Sequence, residues 1–181
     1  MEVINIRILA LDQARNGAWS IFNYDTKQLL ASGSFSYPNP KYTYAQAILE
    51  IEKLMMGLIE EYKVSAVFLE DIQFRVNAQA FKKLAQLQGV LVNYCEKYEY
   101  LYDLIAPTQW QSFCKARSRS TKEMKAQIKE LQASGKSSTK ILSIQFVKQQ
   151  FGIDTEDDNL ADAICIGWYV VNTKKLKGER I

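Results

Sequence analysis

Hydrophobic residues in the first forty positions follow the two-residue period of β-strands, interrupted by short polar turns. This pattern predicts three strands, at residues 5–12 (NIRILALD), 18–24 (AWSIFNY) and 28–37 (QLLASGSFSY). Asn16-Gly17, between the first two, is typical of a tight hairpin turn, and Asp25-Thr26 indicates a second turn. We therefore expect a meander of three consecutive antiparallel strands that ends at Pro38.

From residue 42 onwards the hydrophobic period lengthens to that of amphipathic helices, which alternate with short strands. The predicted helices cover residues 42–62, 76–97, 121–133, 137–151 and 158–171, with a short helix starting at Pro107. Strands are predicted at residues 64–69 and 98–105, and a helix between two strands indicates a parallel crossover. The tail from Asn172 is expected to fray. This order predicts an α/β fold, in which helices flank a mixed five-stranded sheet, as a single domain over residues 1–181.

The composition is that of a globular protein, because 48% of the 181 residues are hydrophobic and 24% are charged. No apolar run is long enough to cross a bilayer, and the first residues, MEVINIRILALD, lack the features of a secretory signal. We therefore expect a cytoplasmic protein with no membrane partner. Its three cysteines are far apart, which argues against a disulfide framework or a thiolate zinc site.

Four acidic residues are the candidate chemical centre of a chain that contains no histidine. Asp12 and Glu70 each end an apolar strand-like run, and ligands in α/β sheets gather beyond the carboxyl ends of strands. Asp158 and Asp162 are four residues apart, which places both on one face of the last helix. Carboxylates without imidazole suit a hard divalent cation such as Mg²⁺ or Mn²⁺. This pattern is expected for two-metal phosphodiester chemistry.

Each of these acids also has an ordinary structural interpretation. Asp12 has the position of a turn aspartate, and Glu70 that of a surface residue at a strand end. Asp157 or Asp158 is placed to cap the helix and to favour its dipole. Capping explains Asp162 poorly, because that residue lies a turn further in among apolar neighbours.

Basic residues concentrate between Lys115 and Lys148, where nine lysines and arginines are opposed only by Glu123 and Glu130. This excess favours an anionic partner, although a solvated helical surface has the same pattern. Phe74 follows Glu70 closely and is a candidate to stack on an unpaired base, with core packing as the alternative. The candidate nucleic-acid contacts are Phe74, Arg75, Asn77, Lys115, Arg117, Arg119, Lys122 and Lys125.

Four segments, in this order, resemble the RuvC family of Holliday junction resolvases, which has the RNase H-like fold. The segments are ILALDQA, FLEDIQFRVN with the helix AFKKLAQLQGVLVNY, PTQW with the basic stretch after it, and DDNLADAICIG. The resemblance carries metal-ligand roles onto Asp12, Glu70 and Asp162. Family members commonly have their last two acids three residues apart. In this chain the residue three positions before Asp162 is Asn159. The fourth ligand is therefore either Asp158, one residue earlier, or Asn159 as a neutral ligand.

The resemblance implies a homodimer that cuts two strands of a four-way DNA junction symmetrically, with two Mg²⁺ ions for which Mn²⁺ substitutes. The divergent middle of the chain favours a phage-type member, which acts in the cytoplasm of a bacterial host. One alternative is another RNase H-like nuclease, acting on branched or forked DNA or on RNA–DNA hybrids. A second alternative is a non-catalytic nucleic-acid-binding relative, which Asn159 supports.

Overall fold

The computed structural model describes residues 5–74, 77–116 and 138–176. The strands are β1 Arg7–Asp12, β2 Asn16–Asn23, β3 Leu29–Ser36, β4 Ala66–Glu70 and β5 Leu101–Ile105. The helices are α1 Tyr44–Tyr62, α2 Ala78–Lys97, α3 Pro107–Phe113, α4 Ser138–Phe151 and α5 Asp158–Thr173. The helix expected at residues 121–133 lies outside the described residues. No helix in the described ranges is both long enough and apolar enough to cross a bilayer.

The five strands form one sheet in the order β3-β2-β1-β4-β5. The first three strands pair antiparallel, and β4 lies parallel to both β1 and β5. Leu11 pairs with Leu69, so the next residues, Asp12 and Glu70, end neighbouring parallel strands at the same level. The predicted mixed sheet with flanking helices is confirmed, and it places two of the four acids side by side.

Successive side chains along a strand point to opposite faces of the sheet. Leu11 belongs to the hydrophobic core under α1 and α2, whereas Ala10 and Phe68 belong to the core under α3, α4 and α5. Asp12 lies two residues after Ala10, and Glu70 lies two residues after Phe68. Both acids therefore project toward the side of the sheet that α5 covers.

Helix α5 lies unusually close to the sheet, and a glycine permits this approach. A Cβ atom added to Gly167 would lie 2.5 Å from the ring of Phe22. The Ser20 hydroxyl donates a 2.7 Å hydrogen bond to the carbonyl oxygen of Ala163. These contacts fix α5 against β2, and its first turn is thereby held over the ends of β1 and β4.

The predicted hairpin turn at Asn16-Gly17 is wrong in position. Both residues already pair with β3, and the chain turns at Gln13–Arg15 instead. Gly17 serves close packing rather than turn geometry, because a side chain there would clash with the carbonyl oxygen of Asp12.

The predicted fraying from Asn172 is also wrong for the described residues. Helix α5 continues to Thr173, and Lys174 then forms a 2.7 Å ion pair with Asp103 of β5. The hydroxyl of Tyr24 donates a 2.6 Å hydrogen bond to the carbonyl oxygen of Lys174. The chain after α5 is therefore fastened to both halves of the sheet.

Candidate metal and nucleic-acid site

The four acids lie close enough that the charge of each acts on its neighbours. Burial raises the pKa of Asp12 well above its ordinary value of 3.8, and the charge of Glu70 raises it further. Asp162 and Asp158 add to this rise in the pKa of Asp12, while the ammonium group of Lys140 opposes it. The acids from β1, β4 and α5 therefore form one electrostatic cluster, as the sequence predicts.

Asp162 is the most informative member of this cluster. Burial raises its pKa to about 7, against a hydrogen bond with Ser143 that lowers it. Its Oδ1 atom is completely buried and has no hydrogen-bond partner. A buried carboxylate oxygen without a partner is unfavourable. A positive ligand would therefore satisfy this oxygen.

Lys140 of α4 brings a cation into the acidic cluster. Its ammonium group donates a hydrogen bond to Oδ2 of Asp158 and also interacts with the charges of Asp162 and Asp12. The hydrogen bond with Asp158 raises the pKa of Lys140, so the side chain is charged at neutral pH. One of the positive charges that compensate the acids is thus supplied by the chain itself.

Two buried side chains position the Glu70 end of the cluster. Trp110 of α3 is completely buried, and its indole N–H donates a 2.9 Å hydrogen bond to Oε1 of Glu70. The side-chain amide of Gln13 donates to the backbone oxygen of Glu70, which ties the turn after β1 to the end of β4. Oε1 of Gln13 is buried without a hydrogen-bond partner.

The donor chemistry fits a hard divalent cation, since the cluster offers only carboxylate oxygens. The buried Oδ1 atom of Asp162 supports the same fit. Among the described residues, however, no three acidic or cysteine side chains converge in ready-made ligand geometry. Lys140 and Trp110 bind oxygens of Asp158 and Glu70 in this arrangement. We therefore expect metal binding to require rotation of the Asp158 carboxylate away from Lys140, while Trp110 keeps Glu70 in its orientation.

Of the two aspartates that the sequence offers as the cap of this helix, Asp157 performs that role, and Asp158 lies in the first helical turn. Oδ1 of Asp157 accepts hydrogen bonds from the backbone N–H groups of Asn159 and Leu160. Asp158 is instead bound to Lys140 within the cluster. Whether Asp158 or Asn159 is the fourth ligand stays a prediction.

The core-packing interpretation of Phe74 is wrong. Its side chain is 68% exposed, and its ring makes an edge contact with Phe81 at 5.4 Å between centroids. Asn77 caps α2 by accepting hydrogen bonds from the N–H groups of the second and third helical residues. Lys115 is exposed just beyond α3. The other candidate contacts, Arg75, Arg117, Arg119, Lys122 and Lys125, lie outside the described residues.

A cavity of about 320 Å³ opens beside the acids, between the strand ends and the first turns of α2. Asp12 and Glu70 lie in its wall together with Gln13, Phe81 and Pro107. The cavity therefore gives a ligand access to two of the four acids and passes close to the exposed Phe74.

The sequence did not single out Lys140, Trp110, Ser143 or Gln13. Lys140 is one lysine in a basic run, and nothing local distinguishes it from the others. Trp110 belongs to the PTQW segment, but only the fold brings that segment to Glu70. The one local signal is the direct adjacency of Gln13 to Asp12.

Comparison with solved structures places this architecture among Holliday junction resolvases. Thermus thermophilus RuvC, in complex with a Holliday junction substrate, matches with a TM-score of 0.67 and 12% identity, over 93% of this chain and 96% of that chain. The fowlpox virus resolvase, also in complex with Holliday junction DNA, gives a TM-score of 0.57 and 15% identity over 93% and 98%. The yeast mitochondrial Holliday junction resolvase matches with a TM-score of 0.56 and 12% identity, over 92% of this chain and 78% of that chain.

No protein-family model and no curated protein sequence matches the chain. At 12–15% identity the structural likeness establishes the fold, which is the RNase H-like fold of RuvC-type resolvases. The predicted architecture is confirmed by this comparison, while the chemistry has to be argued from the chain's own residues.

Proposed function

We propose that this protein is a structure-selective endonuclease that resolves four-way DNA junctions by Mg²⁺-dependent phosphodiester hydrolysis. One observation carries the proposal. Acids from β1, β4 and α5 form a single electrostatic cluster that includes the unpartnered Oδ1 atom of Asp162, on the fold that the junction resolvases share. In such a cluster, carboxylates are the ligands that a pair of divalent ions requires.

Asp12, Glu70, Asp158 and Asp162 would hold two Mg²⁺ ions, with Mn²⁺ as a substitute. Bound there, the ions supply a water of lowered pKa as the nucleophile and stabilise the leaving 3′-oxygen. Asp12 lies centrally, because all three other acids act on its charge. Trp110 keeps Glu70 in place through its indole N–H. These residues thus orient the carboxylates before a substrate arrives.

Lys140 has two roles in this proposal. Without metal, its ammonium group compensates the acids and is bound by Asp158. Asp158 as a ligand of a divalent ion would no longer bind the lysine, which would stay within the same site. We infer that it then faces the anionic phosphate of the strand to be cut, since a lysine acts there as a mobile point charge.

Symmetric nicking of a junction needs two active sites, and we propose that a homodimer supplies them. The exposed Phe74 would stack on a base beside the cut. The compartment is then the one that contains the DNA, which for a phage-type protein is the cytoplasm of a bacterial host.

A non-catalytic DNA-binding role is the second candidate, and one observation favours it. The ammonium group of Lys140 already donates a hydrogen bond to Asp158, so this carboxylate has a cationic partner without a metal ion. Calorimetric titration with Mn²⁺ separates the two candidates, because only the nuclease binds the ion at the acidic cluster.

The function is tested by cleavage of a labelled mobile four-way junction in Mg²⁺. We expect paired nicks from the wild type, no cleavage by Asp12→Asn, and unimpaired junction binding by that variant. Asp154→Asn is the matched control, because this aspartate is 79% exposed and is paired with Lys148 outside the cluster. Undiminished cleavage by Asp12→Asn would refute the assigned chemistry. Faster cutting of forks, flaps or RNA–DNA hybrids than of junctions would reassign the substrate.

A further inference from the structure

A second group of basic residues lies near the cavity and is separate in sequence from the Lys115–Lys148 stretch. Ala14 lies in the cavity wall and is followed by Arg15. In α2, Phe81 and Leu84 lie in the same wall, and Lys83 comes between them in the sequence. Two basic residues, Arg15 and Lys83, are therefore direct neighbours in sequence of residues in the cavity wall.

Arg15 is held in place by neutral groups only. Its guanidinium donates 2.8 Å hydrogen bonds to the carbonyl oxygen of Tyr37 and to Oδ1 of Asn39, and a further one to the carbonyl oxygen of Tyr42. These bonds fix the position of the arginine without neutralising its charge. The turn after β1 thus presents a rigid positive charge beside the strand end that contains Asp12.

This arginine shares the ring of Tyr44 with Lys83, and it binds the carbonyl oxygen of Tyr42, whose ring contacts Lys41. The guanidinium carbon of Arg15 lies 5.9 Å from the centroid of the Tyr44 ring, and Nζ of Lys83 lies 5.7 Å from the same centroid. Nζ of Lys41 lies 5.5 Å from the centroid of the Tyr42 ring. We call these five residues the Tyr44 cluster. Its three cations come from the β1–β2 turn, the segment before α1, and α2.

The cations of the Tyr44 cluster have no acidic partner among the residues that the structure describes. Other described lysines do, for example Lys53 with Glu50 at 2.9 Å and Lys174 with Asp103 at 2.7 Å. Cationic side chains without a counter-charge produce a positive surface potential, which attracts an anionic ligand. The grouping of aromatic rings with unpaired cations is the surface chemistry of proteins that follow a nucleic-acid backbone.

We propose that the Tyr44 cluster is a second DNA-binding surface, which holds backbone phosphates of the strand that runs through the cavity to the acids. The identity of the ligand as DNA rests on the proposed function, whereas the phosphate chemistry rests on the cluster itself. The surface is distinct from Phe74 and from the basic stretch that begins at Lys115. It would bind the strand to be cut at the side of the cavity that the β1–β2 turn forms.

The experiment measures junction binding by fluorescence anisotropy at KCl concentrations from about 50 to 300 mM, in the non-cleaving Asp12→Asn background. The test variant is Lys41→Gln/Lys83→Gln, and Arg15 is left intact because it holds the loop before α1 together. The control is Lys97→Gln/Lys175→Gln, which removes the same charge. Lys97 lies over the Tyr98 ring at 5.1 Å, so it has the same cation–ring contact at the far end of α2, about 21 Å along the helix from Lys83.

We expect the test variant to lower the slope of log K against log salt by about two and to raise Kd about tenfold or more near 100 mM salt. The control should change the slope by less than about half a unit, because its lysines contact no phosphate. Equal slopes for test and control would overturn the proposal. If the double variant loses its cooperative thermal unfolding, each single lysine variant should still lower the slope by about one.

The outcome is independent of the cleavage result. A wild type that binds the junction but cuts nothing in Mg²⁺ would refute the nuclease, while a reduced salt slope would still support the Tyr44 cluster. A wild type that cuts junctions, combined with an unchanged slope in the test variant, would retain the nuclease and remove this surface.

Discussion

The exchange Asp162→Asn is expected to stabilise the metal-free protein at about pH 8 and to leave its stability near pH 4 almost unchanged. Burial raises the pKa of Asp162 from 3.8 to about 7 in the folded protein. Between these two values the folded state retains a proton that the unfolded state has released. Wild-type stability therefore falls as the pH rises through this range and levels off above it. Asparagine keeps the shape of the side chain but does not titrate.

The size of the effect follows from the same pKa. A rise from 3.8 to about 7 corresponds to at most ~4 kcal/mol of stability lost at high pH. Oδ1 of Asp162 is buried, but the residue as a whole is partly exposed, so solvent screening reduces this value, and we expect about 2 kcal/mol. Chemical denaturation in EDTA between about pH 4 and pH 8 measures it, with Asp154→Asn as the control. A difference between Asp162→Asn and wild type that does not change with pH would refute the reasoning.

Divalent cations should make the wild type, rather than Asp162→Asn, the more stable protein at about pH 8. Millimolar Mg²⁺ at about pH 8 is expected to stabilise the wild type, because a ligand that binds only the folded state raises the free energy of unfolding. The Asp162→Asn protein should gain less, since it lacks the oxygen that is unpartnered in the metal-free site. An equal gain in both proteins would show that Mg²⁺ binds elsewhere.

Three further predictions concern the residues around the site. Trp110→Phe keeps an aromatic side chain but removes the indole N–H that donates a hydrogen bond to Glu70. Calorimetry should therefore show Mn²⁺ binding weakened about tenfold or more. Unchanged affinity would show that the tryptophan does not position Glu70 for metal binding. Gly167→Ala should lower the free energy of unfolding by about 1–3 kcal/mol through overpacking. Gly89→Ala should be neutral or stabilising, because a Cβ atom there would have no other atom within 4 Å. Similar melting curves for the two variants would contradict the packing argument. Phe74→Ala should reduce junction cleavage without changing the melting curve, because the ring is 68% exposed; unaltered cleavage would exclude its stacking role.

The acidic residues were predictable because their signals are local. Asp12 and Glu70 each follow an apolar run, and the two-residue period of a strand then determines the face on which they project. Asp162 is predictable because it follows Asp158 by one helical turn and lies too far into α5 to cap it. The structure adds that Asp157 is the cap, which separates two adjacent aspartates that the sequence leaves equivalent.

The remaining parts of the site depend on contacts between distant segments. Lys140 reaches the acids because α4 packs on α5, and Trp110 reaches Glu70 because α3 follows the neighbouring strand. No periodicity in the sequence encodes these contacts. The misplaced hairpin turn has a similar cause, since Gly17 is required by the close approach of the Asp12 backbone and not by turn geometry.

The most direct test of the acidic cluster is the position of Mn²⁺ in crystals of the wild-type protein. Anomalous scattering should locate two ions within coordination distance of carboxylate oxygens from Asp12, Glu70 and Asp162. It should also show the Asp158 side chain turned away from Lys140. Crystals with no manganese at these carboxylates, at concentrations that support cleavage, would contradict the account.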